Sequence, residues 1–417
     1  MTDKLKVVFV GHVDHGKSTL IGRLLYDTKS IPEDKINDLK TINGTQEKYD
    51  FAFLMDHFEE ERKQGITIDT TQVFFKSKNK EYVIIDSPGH IEFIVNMITG
   101  AAQADIAILI IDAMDGIQEQ TKRHAFVLSL LGIKQIVLAV NKMDLVEYNE
   151  DIYKNIVKRI VPFLQNLHIK NVIAVPICAL NGDNVTFYSN NMHWYQGQTL
   201  LDLLDELEIR NTKSKNDTIF SVQDVYSVFD HSGRKRIIVG KVESGAIKKN
   251  QNITILPSGE HAKIESIEVF NKKTIAAHKN ESVGIIVSKP LFVDRGNIIV
   301  GSQKDKPCIA SSVKATIFWM GNHAGKIGKS LILRCSTQEV NCHIDIIYNK
   351  INSSTLEKIE NGGNCINKLE VCEVGISVKQ PLVASEFYSN DALSRFILMG
   401  DNNVVAIGFI TYISGEK

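Results

Sequence analysis

Two rhythms of apolar residues run along the chain. From about residue 5 to residue 210, continuous apolar runs of strand length alternate with runs spaced at three and four residues. Val7-Val8-Phe9-Val10, Ile106 to Ile111, Ile136 to Val140 and Val172 to Ile177 are of the first kind, the pattern of strands buried on both faces. The second kind places Leu20, Ile21, Leu24 and Leu25 on one helical face, then Ile94, Met97, Ile98 and Ala101. Ala125, Leu128 and Leu131 follow, with Gly132 as a stop, then Ile152, Ile156, Ile160, Phe163, Leu164 and Leu167, and last Leu200 to Leu207. Thr71 to Phe75 and Tyr82 to Ile85, joined by Lys76-Ser77-Lys78-Asn79-Lys80, predict a hairpin. The alternation predicts an α/β unit with a doubly wound, mostly parallel sheet.

After Arg210 the texture changes. Asn211 to Asp217 is polar and linker-like. Short strand-sized runs with Gly, Asn and Lys turns then follow, at Arg236–Val239, Gln251–Leu256, Ser282–Val287 and Asn297–Val300. Beyond Lys306-Pro307 they resume at Ser312–Trp319, Leu331–Cys335, Asn341–Ile347, Leu369–Val378 and Val404–Ile413. Two small β-barrels are predicted, with domains at 1–210, 218–305 and 307–417. Gly325-Lys326-Ile327-Gly328-Lys329-Ser330 imitates a phosphate loop. His323 stands where its first glycine belongs and a strand follows it, so it is read as a turn.

Composition narrows the picture only a little. With 417 residues, 43% hydrophobic and 23% charged, the chain is of ordinary globular type. A net charge of −1 shows no basic excess, and no nucleic-acid partner is expected. No apolar run approaches bilayer length, and Met1-Thr2-Asp3-Lys4 enters a strand with no signal core. No membrane partner and a cytoplasmic location are therefore expected. The six cysteines form no C-x-x-C pair, which predicts reduced thiols and no structural zinc.

The chemistry begins at Gly11-His12-Val13-Asp14-His15-Gly16-Lys17-Ser18-Thr19, between a strand and a helix. In that setting G-x-x-x-x-G-K-S is a phosphate loop. Backbone N–H groups and a helix N-terminus cradle the anion. Lys17 reaches the outer phosphates, and the Ser18 hydroxyl suits Mg2+. Asp86 ends a strand, where its carboxylate can reach the metal through water. Gly89 leaves its N–H free for a γ-phosphate. Thr67 can add a hydroxyl and a carbonyl to the metal, from a segment able to let go after hydrolysis. In Asn141-Lys142-Met143-Asp144, the Asp144 carboxylate matches the N1–H and N2 amine of guanine. Adenine lacks both donors, and a buried unpaired carboxylate would reject it. The Lys142 stem can lie along the base, and Asn141 can tie this loop to the phosphate loop. GTP, GDP and Mg2+ are the predicted ligands, with no other metal.

Together these motifs, with Asp86-Ser87-Pro88-Gly89-His90, resemble those of the translation-factor GTPases. That resemblance implies that His90 orients the attacking water. Cys178-Ala179-Leu180 then falls at the last guanine-contacting loop, where Ser is usual in place of Cys178. The contact is implied to be the Ala179 backbone N–H, so a changed side chain at Cys178 should be tolerated. Phe51-Ala52-Phe53-Leu54-Met55-Asp56, Gln64-Gly65-Ile66-Thr67-Ile68-Asp69, Asn181-Gly182-Asp183-Asn184-Val185, Ile317-Phe318-Trp319-Met320 and Thr337-Gln338-Glu339-Val340 narrow it further. They are similar to the large, GTPase subunits of heterodimeric sulfate adenylyltransferases. That family implies a small catalytic partner subunit, which GTP hydrolysis drives to form adenosine 5′-phosphosulfate and pyrophosphate from ATP and sulfate. The competing class is a tRNA-binding elongation factor, with the same nucleotide chemistry on different surfaces. No kinase domain follows the barrels, so adenylylsulfate kinase activity is not expected.

Overall fold

The computed structural model describes residues 4–12, 14–31, 72–86, 104–207, 217–230, 233–269, 272–301, 307–353, 357–359, 364–387, 389–390 and 392–414. The expected helix at Ile94–Ala101 and the Phe51–Asp56 block lie outside them. The chain divides into two compact units, one holding residues 1–209 and the other nearly all that follows.

The first unit runs β1 (Leu5–Gly11), α1 (Lys17–Asp27), β2 (Gln72–Lys76), β3 (Glu81–Asp86), β4 (Ile106–Asp112), α2 (Glu119–Leu130), β5 (Gln135–Asn141), α3 (Glu150–Asn166), β6 (Asn171–Pro176) and α4 (Leu200–Glu206). Its six strands are ordered β2-β3-β1-β4-β5-β6. β2 is antiparallel to β3, and the other pairs are parallel. The apolar runs read as they do because β4 is buried at every position. On α1, Leu20, Ile21, Leu24 and Leu25 are buried together against Val7, Phe9 and Ile84. Each such side chain contributes roughly 1.5–3 kcal/mol on burial. The stripe of α2 closes one residue earlier than its spacing predicts. Leu130 is buried, Leu131 caps the helix, and Gly132 turns the chain away at φ +70°.

Register gathers the functional side chains. Phe9 pairs with Asp86, Gly11 with Ile110, Asp112 with Asn141, and Val140 with Pro176. The carboxyl ends of five parallel strands therefore finish along one edge. The strand order reverses beside β1, and a crevice opens at such a point in doubly wound sheets.

The second unit holds two six-stranded barrels. In the first, Asn252–Leu256 pairs with both Glu260–Val269 and Ile298–Gly301 and closes the ring. In the second, Cys308–Trp319 pairs with both Glu370–Ala384 and Asn403–Ser414. Closure removes exposed sheet edges. Ile219, Leu256, Ile298 and Val300 of the first barrel form one buried cluster with Val383 and Leu393 of the second. The Ser221 and Ser336 hydroxyls lie 2.7 Å apart across that seam. At the mouth of the second barrel, buried Gln338 accepts from Val383 N and donates to Val383 O, both at 2.8 Å. In the Gly325–Ser330 segment a short strand, Gly325–Lys326, leads into a turn at Ile327 and Gly328 (φ +76°) before the strand Ser330–Cys335. Among the described residues, no helix is long and apolar enough to cross a membrane.

Candidate nucleotide-binding site

The loop from Gly11 to Gly16 hugs the sheet edge. A Cβ on Gly11 would meet the Ile110 carbonyl oxygen at 2.8 Å, so only glycine lets the chain leave β1 here. Gly16 sits at φ +87°, and a Cβ there would run into the Asn141 amide. Both glycines of the motif are thus required by local geometry. α1 begins with no side-chain cap, which leaves its first N–H groups facing the loop. Lys17 Nζ donates to Gly11 O and His12 O at 3.0 Å each. Burial lowers the Lys17 pKa from its ordinary value, against the opposing pull of Asp86 and Asp14. Ser18 and Thr19 are half-buried in the first turn of α1, and Asp86 is half-buried at the end of β3. The loop rests on His15, fully buried, whose Nδ1 lies 3.3 Å from Ile110 O. Val13, Thr67, Gly89 and His90 lie outside the described residues.

The Asn141-Lys142-Met143-Asp144 loop continues β5. Asn141, 2% exposed, uses both ends of its amide. Its Nδ2 donates to His15 O at 2.9 Å, and its Oδ1 accepts from Ala179 N at 2.9 Å. One side chain thereby joins the phosphate loop, the β5 loop and the β6 loop. Lys142 takes a left-handed conformation at φ +61°, and its Nζ reaches Asp112 Oδ2 at 2.8 Å. Burial raises the Asp112 pKa, but hydrogen bonds from Lys142 and Met114 N outweigh it and hold the carboxyl below its usual range. Asp144 follows in a 3-10 turn, Met143–Val146. Its Oδ1 accepts from Cys178 Sγ at 3.1 Å.

Between these loops lies a cavity of about 200 Å³. Asn141, Lys142, Asp144 and Cys178 supply its polar wall, Gly16 and Thr19 the end beside α1, and Leu145, Ala179 and Leu180 its apolar sides. A flat aromatic base with a donor edge suits such walls. Arg23 Nη1 donates to Leu180 O at 3.3 Å and fixes the far side.

Three contributors escape sequence motifs. Asp112 showed only as the polar end of an apolar run, and its partner Lys142 follows from the β4–β5 register. Leu145 carries no motif signal. His124, on α2, is 2% exposed, and its Nδ1 has no hydrogen-bond partner among the described residues. Burial, with Lys17, His12 and His15 nearby, pushes its pKa down to about 3. The structure also gives the Cys178 side chain a specific partner, which the resemblance alone does not.

Comparison with known families agrees with this geometry. The elongation factor Tu GTP binding domain family matches residues 2–210. Elongation factor Tu domain 2 matches 235–301, and the GTP-eEF1A C-terminal domain-like family matches 312–411. The chain is 37% identical to sulfate adenylyltransferase subunit 1 of Aliarcobacter butzleri, across 99% of this chain and 88% of that protein. It is 36% identical to the protein of the same name from Bacteroides thetaiotaomicron, across 98% and 86%. On these matches, which run through the α/β unit and both barrels, the chain belongs to the sulfate adenylyltransferase subunit 1 family of elongation factor Tu-type GTPases.

Proposed function

We propose that the chain binds GTP and hydrolyses it as the regulatory subunit of a sulfate adenylyltransferase. Its partner is a small catalytic subunit that converts ATP and sulfate into adenosine 5′-phosphosulfate and pyrophosphate. The observation that most supports the nucleotide reading is Asn141, which binds His15 O and Ala179 N and so sets base-reading residues at a fixed distance from a phosphate loop. Gly11, His12, Val13, Asp14, His15, Gly16, Lys17 and Thr19 cradle the phosphates. Asp144 pairs with the guanine edge, Lys142 and Leu180 flank the ring, and Ala179 N–H meets its carbonyl.

Mg2+ fits the donors available, which are hard oxygens: the Ser18 hydroxyl at the start of α1 and the Asp86 carboxylate at the end of β3. Thr67 would complete the set. The ion supplies charge neutralisation between the phosphates. Lys17 steadies the charge that develops on them, and His90 orients water. Hydrolysis by the lone subunit is slow, since free turnover would uncouple it from the uphill adenylylation. This reading places the chain in the cytoplasm.

The test is co-purification of the tagged chain from its own cells, with an assay for sulfate-dependent, GTP-stimulated pyrophosphate release from ATP. Activity that needs a co-purified small subunit supports the reading. Recovery of tRNA or ribosomes instead, with GTP binding intact, would make it a translation factor.

A further inference from the structure

Arg23 stands outside every sequence motif, yet it ties the helix that starts at the phosphate loop to the loop that walls the base cavity. On α1 its Nε donates to Asp27 Oδ2 at 2.9 Å. Its Nη1 donates to Leu180 O at 3.3 Å, in the loop between β6 and α4. The Thr186 hydroxyl of the same loop donates to the same Asp27 oxygen. Helix and loop are therefore pinned twice, on either side of Gly182. The Arg23 and Asp27 side chains are only 14% and 11% exposed, so the pins are largely withdrawn from water. The Phe187 ring covers the guanidinium, its centroid 5.5 Å from Cζ. Gly182 takes φ +87°, and a Cβ there would run into the guanidinium and the Phe187 ring. The loop is wrapped closely around this one arginine.

We infer that Arg23 is a positioning residue for the base, its guanidinium holding the Leu180 wall of the cavity at a fixed distance from the phosphate loop. The inference rests on the nucleotide reading above. Arg23 stands six residues after Lys17, about 9 Å farther along the helix axis. One rigid helix thus meets the phosphates at its first turn and the base-side loop farther on. Asn141 holds Ala179 N, and Arg23 holds Leu180 O, so this dipeptide of the cavity wall is fixed at both ends. A ligand with a base and phosphates gains from two sites held at the right separation, because its second contact forms intramolecularly. A loosened loop forfeits part of that gain and leaves the phosphate end as built. The geometry calls for a fork, one nitrogen towards Asp27 and another towards Leu180 O. A lysine offers a single point charge instead.

The test measures GDP binding to the full chain by displacement of a fluorescent GDP, with inorganic pyrophosphate as a competitor that occupies the phosphate loop alone. Arg23→Met and Arg23→Lys should each weaken GDP about five- to tenfold, while the pyrophosphate inhibition constant moves less than about twofold. Thr186→Val removes the second pin and should weaken GDP by about threefold with the same selectivity. GDP affinity unchanged in both Arg23 variants overturns the inference. So does an equal loss for GDP and pyrophosphate, which would make Arg23 a support of α1 itself, and so does parental GDP binding by Arg23→Lys. If neither Arg23 variant folds, Thr186→Val decides: a selective loss of GDP supports the inference, and no loss overturns it. A parent chain from which pyrophosphate displaces no fluorescent GDP overturns the phosphate-loop reading, which is a separate result.

Discussion

A buried amide with both ends satisfied, as at Asn141, leaves two backbone groups stranded when it is removed. Asn141→Ala strips partners from His15 O and Ala179 N, each worth about 1–3 kcal/mol when buried unpaired. GDP affinity should drop more than about tenfold, and the thermal midpoint should fall with it; a variant with parental melting and binding would remove Asn141 from its central place. Asp144→Asn presents an amide donor where the parent presents only acceptors, so preference should move from guanine towards xanthine nucleotides in a competition titration. His124 gives a pH signature. Its folded pKa of about 3 lies below the ordinary 6.5. The unfolded chain therefore takes up a proton between those values that the folded chain refuses, and stability falls as pH drops from 6.5. The slope should be on the order of 1 kcal/mol per pH unit. Urea titrations at pH 7 and 5 should show it, and His124→Gln should flatten it.

Elements differ in how plainly the sequence announces them. β4 and β5 are buried on both faces, so their composition alone marks them. The barrel strand Glu260–Val269 is not so marked. Among its ten residues only Ile264 and Ile267 are buried, and polar side chains occupy most of the rest. Its place is set by neighbours at Asn252–Leu256 and Ser282–Val287 rather than by its own pattern. The site divides the same way. The glycines, Lys17, Asn141 and Asp144 stand at motif spacing, whereas the Lys142–Asp112 pair joins residues thirty apart that only strand register brings together. Two elements carry further expectations. Asn149 caps α3 by accepting from Asp151 N at 2.8 Å and Ile152 N at 3.3 Å. Asn149→Ala should cost about 1 kcal/mol in urea unfolding. Gln338 stands in for a rung of backbone pairing at Val383, and Gln338→Ala should cost about 2 kcal/mol by the same assay, since it leaves both Val383 groups buried and unpaired. A loss under half that would mean water replaces the amide.

Over the whole molecule, the cysteines report which parts are sealed. Cys178, Cys335, Cys342 and Cys372 are buried, and burial raises each thiol to about 12. Cys308 and Cys365 are partly exposed. Brief iodoacetamide treatment of native protein at pH 8, read by peptide mass mapping, should label Cys308 and Cys365 first; early labelling of Cys335 would show that the second barrel breathes open. The apolar seam between the barrels has a mechanical meaning. Six side chains from the two barrels share one dry cluster, and a hydroxyl pair pins its margin. The barrels then act as a single lever arm instead of two beads on a string. Heat should then melt both in one calorimetric step.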